Sequence, residues 1–534
     1  MKHSGSFKTW KLYTLALFFL PIFSSYGEIQ SHELRNCSGP VCMDQQASCG
    51  PTGCSPLADM LYKTLELEQD FTSVFTILSG IIATQCQDFN ELWHLFDVLQ
   101  RSTIFVDVPG FSQTFTMLEQ IIETGCQKFQ ETWTILSCYN TVGITSGGTI
   151  SSPGVYCLIN DITGTLTIAA SAVQLDLNGK RISGGANNIV VSGQSDIKIR
   201  NGAISGASIN GISVENCTNV KITDVQFEGN SNGLFVDTTN CIIVRNCNFS
   251  ATVGGSLLLE TSNNGEISNC KFFNNGGTPL IGYQASSAST VFRNIAMINN
   301  SSTNLTCFSA QSSASGRIEN LLVSGNEAST GDFVGVEISA CQDIFVQDAQ
   351  LDTNRSLVGS CTIILANNSV VSLLKNLHIS ENRAGGAQGV FCGISDIAGD
   401  SSIIQDSIIT DNISTFSTAT GISFMQNISS LILKNLIKRN TGVTGGIGIG
   451  ITDSFLTVAQ GNTIESNTGG ASASFGLQFI GSPVDSIIWS NNIVGHTNNF
   501  NIATIPLVLF ARSTGAFTDT MTTSTRILDN VDIS

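Results

Sequence analysis

The feature that most constrains this chain is a spacing. "KITDVQFEGN" (Lys221 to Asn230) is followed by "EISNCKFFNN", "RIENLLVSGN", "FVQDAQLDTN", "LLKNLHISEN" and "IIQDSIITDN". Each has an apolar residue, one polar residue, then Asn or Asp, and six positions later another Asn. The anchor falls at Asn201, Asp224, Asn246, Asn269, Asn294, Asn320, Asp348, Asn376, Asp406 and Asn435, in steps of 23, 22, 23, 25, 26, 28, 28, 30 and 29 residues. Two more degenerate turns follow around Asn462 and Asn491. A period of 20 to 30 residues with drifting length is the signature of a solenoid whose insertions are confined to loops.

The pattern inside each repeat is β. Two residues before the anchor stand Ile199, Ile222, Val244, Ile267, Phe292, Ile318, Val346, Leu374, Ile404 and Leu433, every one apolar. Apolar residues recur one and three positions after it, as in Val225 and Phe227. That is period-2 alternation on either side of a bend, where a helix needs a period of 3.6. The bend explains the anchor, because Asn and Asp enter the left-handed region far more readily than β-branched residues. Successive corners lie about 4.8 Å apart, so their side chains are expected to form a ladder. The second Asn (Asn230, Asn275, Asn300, Asn326, Asn354, Asn382, Asn412) marks the exit from the strand. Phe227, Phe249 and Phe272 are expected to stack inside three consecutive coils. About 12 coils give a rod of about 60 Å.

The stretch "GVYCLINDITGTLTIAASAVQLDLNGKRISGG" and the following "GISVENCTNVKITDVQFEGN" resemble the right-handed parallel β-helix repeat proteins, the pectate-lyase-like solenoids. The resemblance covers Gly148 to about Val494 and implies the fold; lyases, glycosidases, tailspikes and adhesins all share that fold. "FEGN" and "FFNN" are faintly similar to repeats of polymorphic outer-membrane protein passengers. Those proteins have a C-terminal membrane barrel, and with about 40 residues after Gly495 none is expected here.

Ahead of the repeat the chain has a different character. Lys2, Lys8 and Lys11 precede "LYTLALFFLPIF", and Ser25 and Gly27 suit cleavage after Gly27, so residues 1–27 are expected to be a signal peptide. The apolar run is too short to span a bilayer, and no transmembrane segment is expected after cleavage. Residues 28–56 hold two C-x4-C pairs, Cys37/Cys42 and Cys49/Cys54, which read as a disulfide knot in an oxidising compartment in preference to a zinc site. Residues 57–147 contain a duplication: Phe71–Leu99 aligns without gaps to Phe111–Tyr139 at an offset of 40 residues. Its apolar stripe has a hendecad period and predicts an α-helical hairpin. Folding back brings Cys86 and Cys126 nearly level, so a disulfide there is one expectation, and two small core thiols the other. The same stripe would also serve homo-oligomerisation. The β-helix is expected over 148–495 and a C-terminal cap or tail over 496–534.

The formal charge of −17 and pI near 4.6 argue against nucleic acid as a partner. Chemistry on a solenoid should line up in outward columns. The columns two and four residues after the anchor place no two carboxylates on adjacent coils, and the carboxylate and histidine motifs of β-helix glycosidases are missing. No catalytic, cofactor or metal residue is therefore assigned, and any activity would have to come from long loops such as Ser301 to Gly316. His378 and His496 read as ordinary surface or packed residues. Cys247 and Cys270 share one inward column on adjacent coils. One outward column, just before the anchor, carries Arg200, Arg245, Arg293, Lys375 and Lys434 on every second or third coil. Solubility without like-charge neighbours accounts for it, and a stripe that binds an anionic glycan is the sharper reading. The sequence thus predicts an exported, secreted or cell-surface, adhesin-like or structural protein whose partner is a protein or polysaccharide, with a carbohydrate-active enzyme as the alternative.

Overall fold

The structure, a computed structural model, describes residues 141–502 apart from 371, 388, 471–473 and 482–485, together with strand residues 508–511, 517–518 and 526–527. The expected signal peptide, Cys-rich segment, helical hairpin and Cys86/Cys126 disulfide fall on residues outside the described ones. The rest is a mainly β, parallel solenoid of about 12 turns. Parallel pairing begins earlier than Gly148, since Val142–Ile144 pairs with Gly154–Leu158. It also continues into the expected tail: Asn498–Ile502 pairs with Phe475–Ile480, and Val508–Ala511 with Ser486–Trp489. Among the described residues no helix is long and apolar enough to cross a membrane.

Each coil has three strand-bearing faces. The first carries strands such as Asn210–Glu215, Asn232–Asp237 and Leu257–Glu260. The second and third are often one bent strand, as in Thr218–Glu228. The bend is the anchor: from Asn201 to Asp406 all nine have φ between 52 and 62°. Their side chains form an exposed ladder. Asn246 Nδ2 donates to Asp224 Oδ1 at 3.0 Å, Asn269 to Asn246 at 3.3 Å, Asn294 to Asn269 at 2.8 Å and Asn320 to Asn294 at 2.7 Å. Asn376 repeats the contact on Asp348.

The tenth anchor does not fit, and the register corrects it. Gln405 is level with Leu433, so Asp406 is level with Lys434, and Lys434 takes the corner conformation with φ 55°. Asn435 is buried one step inward; its Oδ1 accepts the Ser407 N–H at 2.9 Å and its Nδ2 donates to Ile404 O at 3.0 Å. Asn462 and Asn491 continue that buried column, and their corners are Gly461 and Ser490. The sequence was ambiguous here because Leu431, Ile432 and Leu433 are all apolar. Alternation cannot set a register inside an unbroken apolar run.

The second Asn column is the stronger device. Asn275, Asn300, Asn326, Asn354, Asn382, Asn412, Asn440 and Asn467 are buried. Each from Asn275 to Asn440 sends its backbone N–H and its Nδ2 to the Oδ1 of the next coil, as Asn354 does to Asn382 at 3.0 Å for both. Nδ2 also reaches a strand carbonyl, Val323 O for Asn354. The column satisfies the polar atoms where the chain leaves the strand, which would otherwise be buried unpaired. His496 ends it, its Nε2 accepting both the backbone N–H and the Nδ2 of Asn467 at 3.1 Å.

Inside, Phe227, Phe249 and Phe272 stack with centroids 4.5 and 4.6 Å apart and planes within 2°. Burying one such side chain contributes roughly 1.5–3 kcal/mol. The lengthening repeat has a structural cause. From Ser301–Ser302 onward each coil adds a two-residue strand, and seven of these, ending at Thr468–Gly469, form a separate narrow parallel sheet. Ser301 to Gly316, expected as a long loop, contains Ser301–Ser302 and the first-face strand Leu305–Gln311.

Candidate interaction face

Residues free to act are those the ladders and the core leave pointing outward. On the second face the column just before the corner holds four of the five expected cations. Arg200 meets Asp176 at 2.9 Å, Arg245 meets Glu266 through Nε at 3.2 Å and its terminal nitrogen at 2.6 Å, and Arg293 meets Glu319 at 2.8 Å, with Arg317 joining at 2.7 Å. The bidentate bond from Arg245 holds the Glu266 carboxyl below its ordinary range. Lys375 has no ion-pair partner within 4 Å among the described residues. Lys434 sits on the corner instead, for the register reason above. Three of the five cations are thus committed to carboxylates.

The first face carries the carboxylate column that the positions counted from the anchor lack. Glu215, Asp237 and Glu260 are level with one another on three adjacent coils, half-exposed, beside the outward Phe235 and Leu258. Glu215 accepts from Ser213 Oγ at 2.8 Å and Asp237 from Thr238 Oγ1 at 2.9 Å. The column lies outside the positions counted from the anchor, although "VEN", "VDT" and "LET" repeat at 22 and 23 residues.

Two interior features carry titratable groups. Cys247 and Cys270 occupy the expected inward column as buried free thiols. Asp396 is the unexpected one. It stands in an inward column between Ala366 and Phe424, is 1% exposed, and burial pushes its carboxyl up to about 6 against the opposing effect of Ser402 and Asn427. Closed off in this way, it serves no external substrate.

The most extensive outward feature is apolar. On the second face, three positions before the corner, Lys198, Lys221, Ile243, Glu266, Val291 and Arg317 occupy successive coils. The same column continues as Phe345, Leu373, Ile403, Leu431, Val458 and Ile487 without a polar interruption. The first five are half-exposed and Ile487 is exposed. The adjoining turn adds Val370, Ile428 (47% exposed), Phe455 (45%) and Leu456 (50%), with the exposed Asp400 between Val370 and Ile428, and the first-face strands add Met425 and Ile480. An apolar surface of this extent, on the order of several hundred Å², is of the kind that interaction sites use. Its signal stands at the head of the repeats already quoted. The opening residue is Lys, Glu or Arg in the early motifs, and Phe, Leu or Ile in the later ones.

A family comparison agrees with this architecture. The family described as "Right handed beta helix region" matches residues 166–318, entirely within the solenoid. The rod is a right-handed β-helix. Among solved structures, the periplasmic alginate epimerase AlgG is 11% identical, with 71% of this chain and 78% of that one covered at a TM-score of 0.37. The mannuronan C-5 epimerase AlgE6 A-module of Azotobacter vinelandii is 14% identical, covering 71% and 92% at 0.39. PfbA, a surface adhesin of Streptococcus pneumoniae, is 12% identical, covering 62% and 84% at 0.28. A search of curated proteins finds no match.

Proposed function

We propose that this is an exported, non-enzymatic solenoid of the cell surface or extracellular space, adhesin-like or structural, which offers a long flat face to a protein partner. The observation that carries the reading is the outward column Phe345, Leu373, Ile403, Leu431, Val458 and Ile487. Apolar side chains left half-exposed on five consecutive coils, and exposed on the sixth, forgo part of the roughly 1.5–3 kcal/mol that full burial of each contributes. A partner that covers the column recovers part of it. The cationic stripe contributes less, because Arg200, Arg245 and Arg293 already bind carboxylates.

One observation favours the alternative, a carbohydrate-active enzyme: the stacked carboxylates Glu215, Asp237 and Glu260 beside Phe235. A single experiment separates the two. The purified protein is incubated with a polysaccharide panel, and reducing ends and unsaturated products are measured. The reading expects no turnover. Turnover abolished by Asp237→Asn would replace it with the enzymatic one.

A further inference from the structure

The occupant of the apolar column is open to inference, because a ladder of identical spacing constrains what can lie on it. We infer that the column is the interface of an antiparallel homodimer, two copies packing second face to second face about a two-fold axis that crosses the rods between Ile403 and Leu431. This rests on the reading above that the column binds a protein.

Three observations point to a second copy. The first is spacing. The rungs repeat at the strand separation, about 4.8 Å, and another copy of the same ladder has rungs at that interval and can interdigitate with it along its whole length. The second is self-complementarity. The two-fold axis sets Ile403 against the partner's Leu431, Leu373 against the partner's Val458, and Phe345 against the partner's Ile487. In the adjoining turn it sets Val370 against the partner's Phe455. These contacts are apolar on both sides, whereas the turn position nearest the axis sets the exposed Asp400 of each copy against the partner's Ile428.

The third observation is charge. Asp406 and Lys434 are exposed corner residues on adjacent coils, level with each other and one strand spacing apart. The same axis brings Asp406 of each copy to Lys434 of the other, giving two opposite-charge pairs at the edge of the interface. Turning one rod end for end breaks this match. A two-fold axis running along the rods would bring Asp400 of each copy toward Asp406 of the other at the same level, like against like. Polarity therefore selects the antiparallel arrangement.

The size sets the strength. Five rung intervals extend about 24 Å at the strand spacing. A face of that length and two outward columns wide buries less than the about 800 Å² per partner of a standard interface. The dimer should therefore be reversible, with dissociation in the micromolar range.

The test uses the full chain. In sedimentation velocity across a concentration series, the wild type should shift from monomer to dimer at micromolar concentrations. Leu431→Asp, which places a carboxylate at the centre, should weaken association at least 10-fold. Lys434→Asp should weaken it less, and Lys434→Asp combined with Asp406→Lys should restore it, an outcome that a folding defect cannot produce. Under mild oxidation, the double variant Leu373→Cys with Val458→Cys should form a covalent dimer, while either substitution alone should not exceed the wild type. Wild-type protein that stays monomeric throughout overturns the homodimer, and so does a dimer indifferent to both Leu431→Asp and Lys434→Asp. Either result leaves the turnover assay above as the separate judge of the non-enzymatic reading.

Discussion

The early and late coils of this solenoid share one backbone rule and differ in what they show to solvent. In the column three residues before the corner, coils carrying Lys198, Lys221, Glu266 and Arg317 present charge, and Arg245 and Arg317 are drawn into ion pairs around it. Coils from Phe345 to Ile487 present only apolar side chains at that place. The inward side shows the opposite trend. The column one residue after the corner begins with Val225, Cys247, Cys270 and Ile295 and ends with Ser407, Asn435, Asn462 and Asn491. Later coils are therefore more polar within and more apolar without. Core demand explains neither change, since the early coils fold without them. The inner amides make up the difference through hydrogen bonds along the rod, and the outer apolar column is the face proposed to meet a partner.

The comparison can be broken most severely at the buried amides. Asn354→Ala removes the acceptor for the Asn326 N–H and Nδ2 and the donor to Val323 O and Asn382 Oδ1, so four buried groups lose a partner. At 1–3 kcal/mol for each unsatisfied group, the loss should exceed about 3 kcal/mol. The exposed Asn294→Ala loses water-competed contacts and should cost about 1–2 kcal/mol, mostly for placing Ala in the left-handed region. Chemical denaturation of both variants measures the difference. Equal losses would show that burial does not distinguish the two ladders.

Next in size is Asp396. Its folded-state pKa is raised from 3.8 to about 6, so the fold favours the neutral acid. The stability associated with that proton is fully present below pH 3.8 and is lost as the pH rises through 6. At 1.36 kcal/mol per unit, the loss approaches about 3 kcal/mol at neutral pH. Asp396→Asn stays neutral throughout. Its stability relative to wild type should therefore improve by that amount between pH 4 and pH 7, as read from paired denaturation curves. A pH-independent difference would place the carboxyl in a solvated site.

The smallest effect is expected on the early, charged coils. Arg245→Gln breaks a partly exposed bidentate pair with Glu266, and the loss should stay below about 1 kcal/mol and shrink in high salt. Glu266 has a lowered pKa, so the contribution is present above the ordinary carboxylate range and fades on acidification. A larger loss that survives salt would make this pair part of the core.

Much of this was legible in the sequence because β-solenoid rules are local. The corner needs Asn or Asp, the wall needs alternation, and Phe227, Phe249 and Phe272 could be stacked from spacing alone. Legibility failed where two rules gave the same letters. At Leu431, Ile432 and Leu433 the alternation vanishes, and the spacing points to a corner at Asn435 where Lys434 makes it. The stacked Glu215, Asp237 and Glu260 escaped because they lie on the first face, far from the anchor used for counting. Asp396 was unreadable for another reason: an Asp in an inward column looks like a turn residue until the register is known. The apolar column was in view at the first letter of each repeat, but a half-exposed Leu and a buried one are spelled the same way.

The central claim is that the late coils, not the early ones, carry the interaction face. Sedimentation of wild type, Lys221→Asp and Leu431→Asp over one concentration series tests it, since both substitutions fall in the same column. The account predicts that wild type and Lys221→Asp dimerise alike and that Leu431→Asp associates at least 10-fold more weakly. Identical behaviour of all three, or loss of association in Lys221→Asp alone, would contradict it.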